Sequence, residues 1–192
     1  MRFKLPILLL FILGLSNYIN AQKYLSLEKA EVSKEWQGNV FTSSKTLSEN
    51  IAAATQFTIL TDLLKDSKLQ GSLDKNEMVT VFVFTDASFS KLAKKSKDSI
   101  LGNPLITQKL VKYLSVPGRV DQHSLKMAVT KNGGKAYLAT LSGEKLGVKE
   151  VDGVFKLVDS ANRTATIIAS DFYYKKGFFH IIDGLVFPEP KE

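Results

Sequence analysis

Cysteine is absent and histidine occurs only at His123 and His180 in a chain of 192 residues. Without cysteine there is no disulfide framework, thiolate zinc site, iron–sulfur cluster or thiol nucleophile. Two imidazoles cannot build a three-histidine metal centre, so neither metal nor cofactor is expected. The strained Gly-x-Ser-x-Gly turn that presents a hydrolase serine is missing. Gly133-Gly134 has no Lys-Ser/Thr after it and reads as a turn, not a phosphate cradle. Glu150 and Asp152 flank an Asp-Gly pair, where turn formation accounts for them. These absences leave no catalytic constellation, and the chain reads as non-enzymatic.

Long apolar runs are equally scarce. One, Leu5 to Leu15, follows Arg2 and Lys4 and precedes a polar stretch ending at Ala21. Basic, apolar and small-residue segments in that order form a signal peptide, with cleavage expected after Ala21. Eleven helical residues rise only about 16 Å, half a bilayer core, so no stable membrane insertion is expected after cleavage. The protein is therefore expected to be secreted or periplasmic. Removing Arg2 and Lys4 takes 26 basic residues to 24 against 19 acidic, a net charge of +5. The excess is scattered and no aromatics interleave with it, which argues against nucleic acid as a partner.

What remains is ordinary globular composition, 44% hydrophobic and 23% charged, in a chain long enough to bury roughly 70% of its surface. Residues 22–37 read as a polar lead-in with some order near Trp36. Thr46-Leu-Ser-Glu49 has capping-box spacing, and Leu47, Ile51 and Ala54 share a helical face. Phe57, Leu60 and Leu64 predict a second helix, ended by Gly71. Val79–Phe84 reads as a buried strand, followed by a short helix capped by Asp86 and carrying Phe89. Asn103-Pro104 opens another helix, stopped by Val116-Pro117-Gly118. Beyond it the period becomes extended. Leu125–Thr130 and Lys135–Leu141 are predicted to form a hairpin about Asn132-Gly-Gly134, and Ser142-Gly143 and Asp152-Gly153 mark further turns. Thr164–Tyr174 and Phe178–Phe187 supply the last strands. Helices first and strands later predict an α+β domain with an antiparallel sheet.

Thr80-Val-Phe-Val-Phe-Thr-Asp-Ala-Ser-Phe89 resembles the first signature of the fasciclin domain, including Phe82, Thr85 and Asp86. Gly177-Phe-Phe-His-Ile-Ile-Asp-Gly-Leu-Val-Phe-Pro188 resembles the second, with His180, Asp183, Gly184 and Pro188. Tyr113-Leu-Ser-Val-Pro-Gly118 is similar to the family's intervening element. Phe41 to Asn50 is similar to the opening of single-domain secreted bacterial members. The resemblance implies a wedge-shaped β-sandwich with a flanking helix cluster over residues 38–188, leaving 189–192 as a short tail. Two positions depart from it: Leu114 stands where the family has histidine, and Lys176 where it has asparagine. The latter is expected to disturb the turn before Phe178.

The resemblance also implies an adhesion module whose partner is an extracellular matrix or cell-surface protein or polysaccharide, and a monomer is expected. In animal members an aspartate–isoleucine pair before the second signature contributes to integrin binding. Asp171 and Phe172 occupy that place, beside Tyr173 and Tyr174. Either these four form a partner-binding site, or Phe172 and Tyr174 are core-facing residues of an ordinary strand. An alternative function is a module holding a small apolar or glycan ligand between sheet and helices. His180, in an apolar run, is expected to be neutral and internally hydrogen-bonded. His123 is expected in an exposed loop. Asn162-Arg-Thr164 fits a glycosylation acceptor.

Overall fold

The computed structural model describes residues 31–189; the signal-peptide expectation, and the tail beyond Glu189, lie outside them. Strand β1 (Ser33–Trp36) pairs with β2 (Asn39–Thr42) in a hairpin turned by Gln37 and Gly38. The order expected near Trp36 is thus a strand, and the hairpin straddles position 38. Helix α1 (Leu47–Ala52) starts on the capping box, Thr46 and Glu49 each bonding the other's backbone. A 3-10 turn over Thr55–Phe57 leads into α2 (Thr58–Leu63).

The expected single helix to Gly71 is instead two. The Asp66 carboxylate accepts from the Lys68 and Leu69 N–H groups at 2.8 and 3.2 Å and starts α3 (Ser67–Asp74). Gly71 lies inside α3, where an exposed glycine costs about 1 kcal/mol without ending the helix.

Strand β3 (Val79–Phe84) is buried throughout, as its continuous apolar run requires. Helix α4 (Asp86–Ser90) follows, but its cap is Thr85, whose hydroxyl accepts from Ser88 N–H. Asp86 instead caps a different helix: its carboxylate receives the Thr58 and Ile59 N–H groups at 3.0 Å each, at the start of α2. Helices α5 (Lys94–Gly102) and α6 (Pro104–Tyr113) meet at Asn103, which caps the second. Strand β4 (Ser115–Pro117) occupies what the sequence suggested as a helix stop.

The predicted hairpin about Asn132-Gly-Gly134 does not form. Asp121 accepts from Ser124 N–H at 2.8 Å and caps α7 (Gln122–Lys131), with Leu125 and Val129 buried one turn apart. Gly133 and Gly134 then end α7 at φ 67° and 101°, and Gly134 N–H bonds the Val129 carbonyl. Short apolar runs do not separate helix from strand, and here the cap decided.

Strands β5 (Lys135–Ala139), β6 (Lys145–Val151), β7 (Val154–Val158), β8 (Thr164–Tyr174) and β9 (Gly177–Ile182) complete the fold. The seven-stranded sheet runs β4-β3-β9-β8-β7-β6-β5. Leu141 N–H, just past β5, donates to the Ser115 carbonyl of β4 at 2.8 Å, so the two edges nearly close. One pairing departs from the antiparallel expectation: β3 and β9 run parallel, Phe82 opposite His180. The two signature segments are therefore adjacent central strands. The core includes an aromatic cluster in which Phe41 meets Phe172 and Phe179 edge-on, at 5.3 and 5.2 Å between ring centres. Mixed helices and strands with this nearly closed sheet form the expected α+β wedge-shaped sandwich.

Candidate functional site

His180 sits in the middle of β9 with no solvent exposure. Its ring stacks on Phe82 at 5.4 Å. Nε2 lies 2.7 Å from the Val120 carbonyl, which can only accept, so Nε2 carries the proton. Nδ1 then faces the Asp171 N–H at 3.4 Å as acceptor. Burial holds this imidazole below its ordinary value, outweighing the Val120 carbonyl and the Asp171 and Asp121 carboxylates. The neutral ring links the 118–122 loop to β8, a structural role.

The four residues suggested as a partner site surround that link. Between Ala169 and Phe172 strand β8 is bulged, and Asp171 takes φ 59° there. Its carboxylate accepts the Gln122 N–H at 2.9 Å, fixing the start of α7. Phe172 and Tyr174 are buried, and the Tyr174 hydroxyl donates to the Val79 carbonyl at 3.0 Å. Tyr173 is half-buried against Phe178, their ring centres 4.6 Å apart. Lys34 of β1 covers the bulge, donating to the Ser170 carbonyl at 2.6 Å. The strand alternation therefore accounts for Phe172 and Tyr174, and Asp171 is engaged within the fold.

The other motif residues hold the frame. Thr80 donates to the Gly118 carbonyl at 2.8 Å and accepts from Val120 N–H at 2.9 Å. Pro117 lies on the edge strand β4, where its missing N–H is tolerated. Phe89 stacks on Phe84. Asp183 accepts from Thr166 N–H at 2.7 Å. Gly184 lies against β8, where a Cβ would stand 3.1 Å from the Thr164 carbonyl oxygen. Leu114 is buried in the core. Lys176 is not among the residues with positive φ, so the turn expected to be disturbed there is ordinary. His123 is exposed, but on α7 rather than in a loop.

A different face presents groups to solvent. Beside β5 lies a groove of about 550 Å³ lined by Tyr113, Lys135, Tyr137, Glu144, Ser160 and Asn162 among others. Tyr113 forms its buried base, with its hydroxyl 3.4 Å from the Lys145 carbonyl. Burial, with the Asp159 and Glu144 carboxylates nearby, raises that hydroxyl to about 12. Tyr137 is 61% exposed, with the Lys135 ammonium 4.9 Å from its ring centre. Sequence reasoning passed over Tyr137; its signal was an aromatic at the outward position of an alternating strand. Asp159 was also missed. Its buried carboxylate accepts from the Ala161, Arg163 and Phe187 N–H groups and from Arg163 Nε at 2.6 Å. It ties the β7–β8 loop to the C-terminal segment.

Among the described residues no cluster of histidine and carboxylate side chains is suited to a metal, and no helix is long and apolar enough to cross a membrane. A family model of the fasciclin domain matches residues 55–188. The chain is also similar in fold to a fasciclin domain pair from the insect cell adhesion molecule Fasciclin I, at 11% identity and a TM-score of 0.65, over 83% of this chain and 67% of that one. With both signatures side by side on β3 and β9 and the family match covering most of its length, the chain belongs to the fasciclin domain family.

Proposed function

We propose that the protein is exported, loses residues 1–21, and acts as a non-enzymatic adhesion module that binds an extracellular matrix or cell-surface polymer through the Tyr137 face. The adhesive character of the insect relative supports the class of function. The observation that carries the location is Tyr137: a large aromatic standing in solvent over a polar groove. An exposed ring beside hydroxyl, amide and charged groups suits sugar or protein partners, since aromatic anchors dominate binding surfaces. The motif residues support the non-enzymatic reading, because Thr80, Asp171, His180 and Asp183 are each occupied in bonds that hold strands and loops.

The test is equilibrium binding of the purified protein to matrix proteins and surface polysaccharides at low and high salt. Saturable binding that survives high salt and is lost in Tyr137→Ala is expected. Binding that vanishes with salt would reduce the interaction to the net positive charge. Binding unaffected by Tyr137→Ala would overturn the location.

A further inference from the structure

A second cleft, of about 630 Å³, opens between α5, α6 and the segment after β9. Its volume lies within the range of small-molecule sites. One wall is apolar, made by Ile100, Ile106, Leu110, Phe187 and Pro188. Lys95, Lys109, Arg163 and Glu189 line the same space, with the Glu144 and Asp159 carboxylates behind it paired to Lys109 and Arg163.

The three cations are not equally available. Lys109 already pairs with Glu144 at 2.9 Å and donates to the Glu189 carbonyl. Arg163 uses Nε on Asp159 and lies 4.8 Å from the Phe187 ring centre. Among the described residues its terminal N–H groups have no acceptor, and Lys95 has no carboxylate partner. An arginine held at Nε and placed over an aromatic ring is oriented in advance for a planar anion.

From the apolar wall and the donors left open on Lys95 and Arg163 together, we propose that this cleft binds a small amphiphilic carboxylate, its chain along Ile106, Leu110 and Phe187 and its head on Lys95 and Arg163. The site adjoins the Tyr137 groove, Glu189 lining both, but its ligand reading stands without the adhesive one. It differs from the alternative sequence expectation of a ligand held between sheet and helices, because no strand residue lines this cleft.

Sodium dodecanoate, kept below its micelle concentration, is titrated into the purified full chain by calorimetry, with dodecanol and acetate as comparisons. Saturable one-to-one binding of dodecanoate is expected, with dodecanol and acetate each at least tenfold weaker. Lys95→Glu should weaken dodecanoate about tenfold, the scale of one charged hydrogen bond. Ile106→Asp should abolish it. Both positions are exposed, and unchanged unfolding midpoints would verify that the variants fold; Lys95→Glu alone suffices if Ile106→Asp does not. Dodecanol binding as tightly as dodecanoate, or affinity indifferent to Lys95→Glu, would overturn the proposal. So would capture by phosphatidylglycerol vesicles without binding of monomeric dodecanoate, which would assign the surface to Leu101 and Leu105, exposed at the α5–α6 turn.

Discussion

Gly177 lies directly beneath the carbonyl of Val79: a Cβ at position 177 would stand 1.9 Å from that oxygen. The contact is at the first pair of the parallel β3–β9 ladder, between two strands buried throughout. Neither backbone can retreat without breaking the central pairing.

Gly177→Ala is therefore expected to cost more than about 4 kcal/mol, in the range reserved for severe core or backbone disruption. Gly153→Ala is the comparison, since Gly153 has φ 77° with open space around its Cβ. There the cost should be about 1–2 kcal/mol, from the left-handed backbone alone. Urea unfolding of both variants checks the difference, and similar midpoints would contradict the close approach.

The buried imidazole makes stability depend on pH. The folded His180 value is depressed by burial, so the unfolded state binds a proton that the folded state resists. Stability is then flat above the unfolded value of about 6.5 and falls as pH drops from there toward the folded value. The groups whose charges act on the ring are Asp171, Asp121 and Lys34. Carboxylates with lowered values, Glu49, Asp66 and Asp121, act in a separate window, losing their contribution only below about pH 4. Unfolding midpoints from pH 7.5 to 5 should slope downward in the native protein. In His180→Gln the slope should disappear, at the cost of a lower plateau.

Asp171→Ala should lower the unfolding free energy by about 1–2 kcal/mol, because it removes the acceptor for Gln122 N–H and leaves alanine at φ 59°. Asp171→Asn keeps an acceptor and a residue that tolerates this backbone, and should lie within about 0.5 kcal/mol of native. A direct partner-binding role would show the reverse: unchanged midpoints with lost binding.

Asp86→Ala is expected to cost about 1–2 kcal/mol although it leaves its own helix capped by Thr85. The loss falls on α2, whose Thr58 and Ile59 N–H groups lose their acceptor. Hydrogen exchange localises it: faster exchange at Thr58 and Ile59 with unchanged protection at Ser88 is expected.

Local signals in the sequence were legible where one residue's chemistry decides its own surroundings. The capping box at Thr46, the apolar run of β3, the Asn103-Pro104 opening and the Asp152-Gly153 turn all stand as read. Some errors arise because a side chain's partner can lie outside its own element, others from local caps passed over at Asp66 and Asp121. Asp86 looks like the cap of the helix it begins, and caps another 27 and 28 residues away. Asp121, three residues before Ser124, turned an apparent strand into α7. At Asp171 alternation identified the inward Phe172 and Tyr174, but no pattern revealed the bulge or the bond to Gln122. Asp159 reads as a loop acid because three of its donors are local, from Ala161 and Arg163, while only the Phe187 N–H comes from distant sequence.

The parallel pairing of β3 with β9 also sets an order of events during synthesis. The two strands are about a hundred residues apart, and every other strand of the large sheet lies between them in the chain. Long-range pairings of this kind are slow to form because the intervening loop must close first. A growing chain can make its helices and its β5–β8 meander, but β3 lacks its neighbour until β9 has emerged. Completion of the central sheet therefore waits for β9, and a chain cut before Gly177 leaves β3 with an open edge on that side.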